Sequence, residues 1–466
     1  MASKKILLWG ALPRLPKNKT YRESYQISGN NFGNILIGHG VVSVLGDYEY
    51  IFRSQLKGPE DADEQCERIV IPAANFLWKG FDFGYMADFI EATHLPVTIL
   101  GLGAQTNDRS MVSYIHPNTL RLIKLIAERS PSLGVRGFYT AEVLAANGIL
   151  NVEVLGCPSL YTNLAPPQAI TPPRLEELGG MVVNFSRRVS GHAFSKPALM
   201  AVENALLKMA MRLDLPFVAQ DELEELALAF GDGGAVERKT VATYFSSVGE
   251  AEVTSYFSRK TQYFCDVDEW SAFMRQRSGT VGSRLHGNII SLINGKTGFV
   301  IAHDSRTLEV CALTGIPYLN IKQIYPETFR EEELIERVLN ADYGKFVSNI
   351  GQLFRKYRSF LDTHGLRHKL TADLPEVMLQ EPNAALPVLI RPQLPATAAG
   401  QLAELGELLK TVVERKNATI ESQRAEIQAL QDRQNALYEQ LVRAEAQLDL
   451  LKQMVLPEAG SRLERL

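Results

Sequence analysis

Along residues 1–165 short apolar runs alternate with stretches of helical periodicity. The runs "KILLWGA" (5–11), "YEYIFRS" (48–54), "RIVIPAA" (68–74), "PVTILGLGA" (96–104), "LGVRG" (133–137) and "VEVLG" (152–156) predict strands. Helices are predicted between them at about 34–45, 80–92, 117–129 and 138–148. Strands that alternate with helices indicate βαβ units and a parallel sheet. Several of these strands are apolar throughout, as expected when helices cover both faces of the sheet. The proline-rich stretch "LAPPQAITPPRLEELGG" (164–180) breaks the rhythm and marks a linker over 166–179.

A second alternating set follows. Strands are predicted at 180–186, 216–220, 261–265, 279–283 and 297–304, and helices near 196–213, 241–248, 267–276, 284–294 and 305–314. The expectation is two α/β domains, 1–165 and 180–365, with a cleft between them, and such clefts are common ligand sites.

Residues 366–400 form another proline-rich linker, and 401–456 then carry heptads ahead of a short tail, 457–466. One seam runs Val413, Ile420, Ile427, Gln434, Leu441, Leu448, Val455, and the other Leu409, Lys416, Gln423, Leu430, Leu437, Ala444, Leu451. Both keep a seven-residue period, so a coiled-coil helix of roughly 70 Å is expected. Self-association into a homo-oligomer would cover its stripe; a helix folded back on its own domains is the alternative.

Composition narrows the class. The chain of 466 residues is 45% apolar and 22% charged, which fits a globular protein, and its formal charge of −4 offers no basic field for nucleic acid. Cys66, Cys157, Cys265 and Cys311 lie far apart without a C-x-x-C pair, which argues against a zinc knuckle or a disulfide framework. A cytoplasmic location is the expectation, since the first residues lack the long apolar core of a secretory signal. No run of 18 apolar residues is present. Peripheral membrane contact stays open.

Candidate chemistry concentrates where predicted strands meet helices. "GTVGSRLHGNIISLING" (279–294) places Ser283 as an N-cap and Arg284 and His286 at a helix start. Free N–H groups and the positive helix end favour an anion there, and Arg284 adds a planar fork. Gly282 and Gly287 allow close approach, and His286 can transfer a proton. The alternative is an arginine paired with a core carboxylate and a histidine capping a carbonyl. "SGNNFGNILIGHG" (28–40) sets Asn31, Gly33 and Asn34 on a turn that either contacts a ligand or simply needs glycine. Arg136 ends a strand and is either an anion ligand or a salt-bridge partner. In "IAHDSRTLEV" (301–310), His303, Asp304 and Arg306 follow a strand; capping explains Asp304, whereas Arg306 opposes the helix dipole. "GLGAQT" (101–106) lacks the third glycine of a dinucleotide fingerprint, so no nicotinamide cofactor is inferred.

Taken together, "NNFGNILIG", "ILGLGAQ", "GVRGFYTAEVLAANGILNVEVLGCPSL" and "VGSRLHGNIISLINGKTGFVIAHDSRTLEVCALTGIP" resemble the polysaccharide pyruvyl transferase family over residues 1–365. The resemblance implies two Rossmann-like domains facing a cleft, as in GT-B glycosyltransferases. It also implies transfer of the enolpyruvyl carbons of phosphoenolpyruvate onto two sugar hydroxyls, forming a pyruvate ketal. The acceptor would be a glycan or a lipid-linked saccharide, and neither a metal nor a cofactor is called for. Arg284 and His286 fall on the family's R-L-H motif and Arg136 on its V-R position. The roles that follow are acid/base for His286, anion clamps for Arg284 and Arg136, and base or orienter for Asp304. Ser283, Asn31, Gly33, Asn34, His303 and Arg306 would bind substrate. Family members often have aspartate where this chain has Asn34, and asparagine cannot act as a base near neutral pH. A nucleotide-sugar glycosyltransferase and a non-catalytic coiled-coil scaffold are the competing readings.

Overall fold

The computed structural model describes residues 4–105 and 115–370. The expected coiled coil, the tail and nearly all of the second proline-rich linker lie outside the described residues. The first sheet contains β1 (Lys5–Leu8), β2 (Tyr50–Phe52), β3 (Cys66–Pro72), β4 (Val97–Leu102), β5 (Leu133–Val135) and β6 (Val152–Val154). The second contains β7 (Met181–Asn184), β8 (Phe217–Val218), β9 (Thr261–Gln262), β10 (Gly279–Gly282), β11 (Thr297–Ala302) and β12 (Tyr318–Asn320). Strands β4 and β11 are buried at every residue, which is why they read as unbroken apolar runs.

The sheet orders are β2-β1-β3-β4-β5-β6 and β12-β11-β10-β7-β8-β9, with every pair of neighbours parallel. The second is the doubly wound Rossmann order. Chain direction across the sheet reverses between β1 and β3 in the first and between β7 and β10 in the second. Loops leaving the carboxyl ends of strands part at such points and leave a crevice. Residues just past β1, β3, β8 and β10 accordingly line one cleft of about 500 Å³, among them Trp9, Asn75, Asp221 and Arg284.

Several features depart from the expected pattern, among them the unpredicted strand β12 and the helices Pro59–Gln65 and Glu331–Leu339. The single helix expected near 241–248 is three, Leu223–Phe230, Ala235–Tyr244 and Glu250–Lys260. Gly231, at φ +76°, ends the first, and the second buries only Val241 and Tyr244, so its periodicity was faint. A short helix, Tyr21–Ile27, starts on a Thr20–Glu23 capping box and reaches the second lobe. There Tyr21 stacks on Phe230 at 4.6 Å and donates to Asp232 at 2.9 Å. Finally the helix Gly344–Thr363 leaves the second lobe, where Asn349 donates to the Leu313 carbonyl, and ends on the first. Tyr357 stacks on Tyr161 at 4.1 Å, and Arg68 donates to the His364 carbonyl at 2.6 Å. This crossing, about 30 Å long for its 20 residues, ties the lobes together on the side of the helix.

Among the described residues no helix is long and apolar enough to cross a membrane. The four cysteines are free thiols.

Candidate functional site between the lobes

Strand β10 delivers the S-R-L-H segment to the cleft floor. Only glycine fits at 282, because a Cβ would stand 2.1 Å from the Asn184 carbonyl oxygen on β7. Arg284, not Ser283, holds the N-cap position of the helix Leu285–Ile293, and it caps nothing with its side chain. The Ser283 hydroxyl instead donates to Glu203, a carboxylate buried with Tyr244 and the Ser186 N–H also donating to it. A buried acceptor from a distant helix thus outcompetes the local cap.

Arg284 is buried, and it meets carboxylates of its own lobe. Its guanidinium pairs with Asp221 and Glu222, and Nε also donates to the Phe185 carbonyl at 2.8 Å. Burial, with Arg306 next, lowers its pKa to about 9, which leaves it cationic at neutral pH. The paired-carboxylate alternative therefore describes Arg284, although its side chain still lines the cleft. Arg187 forms a neighbouring pair with Glu224 and Glu225.

His286 sits in the first turn of the same helix and is 7% exposed. Its Nε2 lies 3.5 Å from the Cys157 thiol, which also receives the Ser159 hydroxyl at 3.0 Å. Its Nδ1 faces Gly33 of the first lobe: a Cβ there would stand 3.0 Å from Nδ1 and 2.3 Å from the Gln220 amide oxygen. Gly33 is thus one of the points at which the lobes touch, and the Phe32 N–H donates to the Gln220 carbonyl at 2.8 Å beside it. Burial, then the charges of Arg136, Arg306 and Arg284, drives the His286 pKa well below the ordinary imidazole value. The ring is neutral at physiological pH, and the same depression makes it a weak base until an added anion offsets the arginines.

Arg136 makes no contact with a carboxylate. It donates to the Gly101 and Ala73 carbonyls and to Asn75 Oδ1 at 2.8, 3.2 and 3.1 Å. It therefore fastens the ends of β3 and β4, and acts on the cleft through its charge rather than by direct contact. From Asn75 a chain of side chains crosses the floor. Asn75 donates to Gln105 at 3.4 Å, Gln105 donates to Asp304 at 3.5 Å, and Asp304 pairs with Arg306 at 3.2 Å.

Asp304 caps the helix Ser305–Thr314 by accepting from the Thr307 N–H at 2.8 Å. Burial pushes its pKa up, but Arg306, His303 and Thr307 outweigh burial and hold it at about 2. A carboxylate that acidic is a poor general base, so orienting Arg306 is the role left to it. His303 is fully buried, lowered to about 4 chiefly by burial, and its Nε2 has no hydrogen-bond partner. Arg306 Nε and Gln220 Nε2 are likewise buried without partners.

Of the predicted residues, Asn31, Asn34, Arg284 and Arg306 line the cleft, whereas Arg136, Ser283, His286, His303 and Asp304 stand behind its surface. Asn34 spends its amide Nδ2 on the Ser28 carbonyl at 3.0 Å, which closes the turn containing Gly29 and Asn30, both at positive φ. The sequence reading missed Asn75, Gln105, Gln220, Asp221 and Glu222. Each lies just beyond the carboxyl end of a parallel strand, and that position was the available signal. Among the described residues no group of three His, Cys, Asp or Glu is placed to hold a metal ion.

Residues 31–305, more than half of the chain, match the family model described as polysaccharide pyruvyl transferase. None of the curated proteins matches the sequence. Among solved structures, MnaA from S. aureus with UDP is similar at 12% identity and a TM-score of 0.38, covering 78% of this chain and 99% of that one. A UDP-GlcNAc 2-epimerase from Methanocaldococcus jannaschii, solved with UDP-GlcNAc and UDP, is similar at 10% identity and a TM-score of 0.35, covering 77% and 100%. The chain belongs to the polysaccharide pyruvyl transferase family.

Proposed function

We propose that this member of the family transfers the enolpyruvyl carbons of phosphoenolpyruvate to a saccharide diol, forming a pyruvate ketal and releasing inorganic phosphate. The observation that carries the reading is that Arg284 and Arg306 line the cleft, with Arg136 and a neutral buried histidine, His286, behind its surface, where the charges of all three arginines act on the ring. Among the described residues Arg306 Nε, on the cleft lining, has no hydrogen-bond partner, and such a buried donor suits a compact trianion.

In the proposed reaction the methylene carbon of phosphoenolpyruvate gains a proton, which leaves an oxocarbenium-like centre at C2. One sugar hydroxyl attacks C2 and loses its proton, the C2–O bond to phosphate breaks, and a second hydroxyl closes the ketal as its proton passes to the departing phosphate. Neutral His286 accepts the hydroxyl proton. A bound trianion opposes the arginine charges that now depress its pKa, so the same ring becomes competent to protonate carbon. Asp304 holds Arg306 in place. Asn34 is a hydrogen-bonding residue in this scheme, not a base.

The test is phosphate release from phosphoenolpyruvate in the presence of saccharides, with His286→Ala and Arg306→Ala alongside. Both variants should lose the saccharide-dependent release by about a hundredfold or more. Undiminished release in either, or binding of a nucleotide sugar with none of phosphoenolpyruvate, overturns the reading.

A further inference from the structure

The wall of the cleft built by the first lobe has no part in the anion chemistry. Trp9, Phe76, Trp78, Phe81, Phe83 and Tyr85 line it as a run of rings in mutual contact. Phe76 stacks on Phe83 at 4.3 Å, Trp78 meets Phe81 at 5.2 Å, and Trp9 meets Tyr85 at 6.0 Å. Phe81 and Tyr85 are 41% and 60% exposed, an unusual state for large rings that could pack inward. Asn30, Asn31, Asn34, Asn75 and Gln105 line the same wall, and among the described residues none that lines it is charged.

We infer that this wall is the seat of the acceptor, and that it takes a neutral saccharide by stacking pyranose faces on the rings. The inference rests on the proposed transfer and names the partner of that same site. A pyranose presents apolar C–H faces and a rim of hydroxyls. Flat aromatic surface serves the first, and amides that both donate and accept serve the second. Charge separates this ligand from its competitors. A diphosphate head needs cations, and among the described residues the arginines that line the cleft, Arg284 and Arg306, belong to the opposite lobe. A prenyl chain would desolvate the five amides without pairing them, which is costly. A sugar on this wall would face Arg284 and Arg306, so its hydroxyls would stand toward an anion held there.

The chain reports on this binding directly. Of its three tryptophans, Trp9 and Trp78 line the wall, whereas Trp270 is buried in the second lobe. The probe is a panel of neutral disaccharides, titrated into the full chain while tryptophan fluorescence is read. At least one should shift the emission saturably. Phe81→Ala/Tyr85→Ala, two changes at exposed positions, should weaken that binding about tenfold while the variant keeps the wild-type unfolding temperature. No response to any disaccharide overturns the inference, as does a response that the double variant retains. A response to farnesyl phosphate in place of every disaccharide also overturns it. Calorimetry with phosphoenolpyruvate on the same wild-type sample separates the two readings. Phosphoenolpyruvate binding without a disaccharide response sinks the saccharide wall alone, and the reverse pattern sinks the donor assignment alone.

Discussion

The first lobe lines its side of the cleft with rings, amides and glycines; the second lines its side with Val189, His192, Asp221, Arg284 and Arg306. Both lobes use parallel sheets and open at a topological switch point, so architecture does not account for the contrast. The second lobe buries each of two arginines against two acidic side chains, Arg284 with Asp221 and Glu222, and Arg187 with Glu224 and Glu225, and burial raises the Glu222 pKa well above the usual carboxylate range. Such pairs hold a fixed electrostatic field without having to reorganise when a ligand arrives. The uncharged wall can meet many hydroxyl arrangements. Under the proposed transfer this division would place the anion on one side of the cleft and the sugar on the other.

Removing charge from the charged wall should have the largest effect. Arg284→Met leaves Asp221 and Glu222 buried without their cation, and breaking one partner of a buried pair costs about 3–5 kcal/mol. Thermal unfolding should show a clear loss of stability. Adding Asp221→Asn and Glu222→Gln should restore much of it without restoring turnover. A stable single variant would mean that the pair carries little, and that Arg284 is free to serve a ligand instead.

The second effect probes the clasp between the walls. Glu309 of the second lobe accepts from the Thr140 N–H and hydroxyl of the first, at 3.0 and 2.8 Å. Burial raises its pKa from 4.5 to about 7 against the pull of those bonds and of Arg136. Because the folded value is the higher one, its contribution is fully present below about pH 4.5 and is lost as pH rises through about 7. At about 1.4 kcal/mol for each pKa unit the swing is ~3 kcal/mol. Glu309→Gln should flatten the stability profile across that window in denaturant titrations, and a profile as steep as wild type would remove Glu309 from the account.

The third effect is at the seam. Gly33→Ala places a Cβ against Gln220 and His286, and forced overpacking of this kind costs about 1–3 kcal/mol. Turnover should fall more than stability does, because the strain lands on the proposed proton-transfer residue. Equal losses in both would make Gly33 a packing residue only.

How much of this was legible in the sequence depended on how far apart the partners lie. The βαβ rhythm is local, so both sheets and the cleft could be read from periodicity. Arg284 and His286 stood out because polar side chains are rare inside an apolar run. Asp221 and Glu222 did not, since "QDELEEL" reads as the solvated start of a helix until Arg284, some 62 residues away, buries it. Ser283 was misjudged as a cap because Glu203 lies 80 residues off in sequence. The aromatic wall was hidden for a different reason. "FLWKGFDFGY" (76–85) has the composition of a core segment, and only the irregular path before the helix Gly84–Glu91 turns its rings toward the cleft.

The smallest effect bears on Asn34, which lines the first lobe's side of the cleft. Asn34→Asp would introduce a charge among the neutral side chains described on that wall. It would also remove the amide that donates to the Ser28 carbonyl, since an ionised carboxylate cannot donate. Loss of that bond should cost about 1 kcal/mol, seen as a small drop in unfolding temperature. The consequence for turnover discriminates more sharply than the stability does. If residue 34 serves as a catalytic base in this cleft, the aspartate should raise saccharide-dependent phosphate release despite the weaker turn. If His286 already takes the hydroxyl proton, a new anion near the arginines should compete with phosphoenolpyruvate and raise its KM. The proposed mechanism requires the second result.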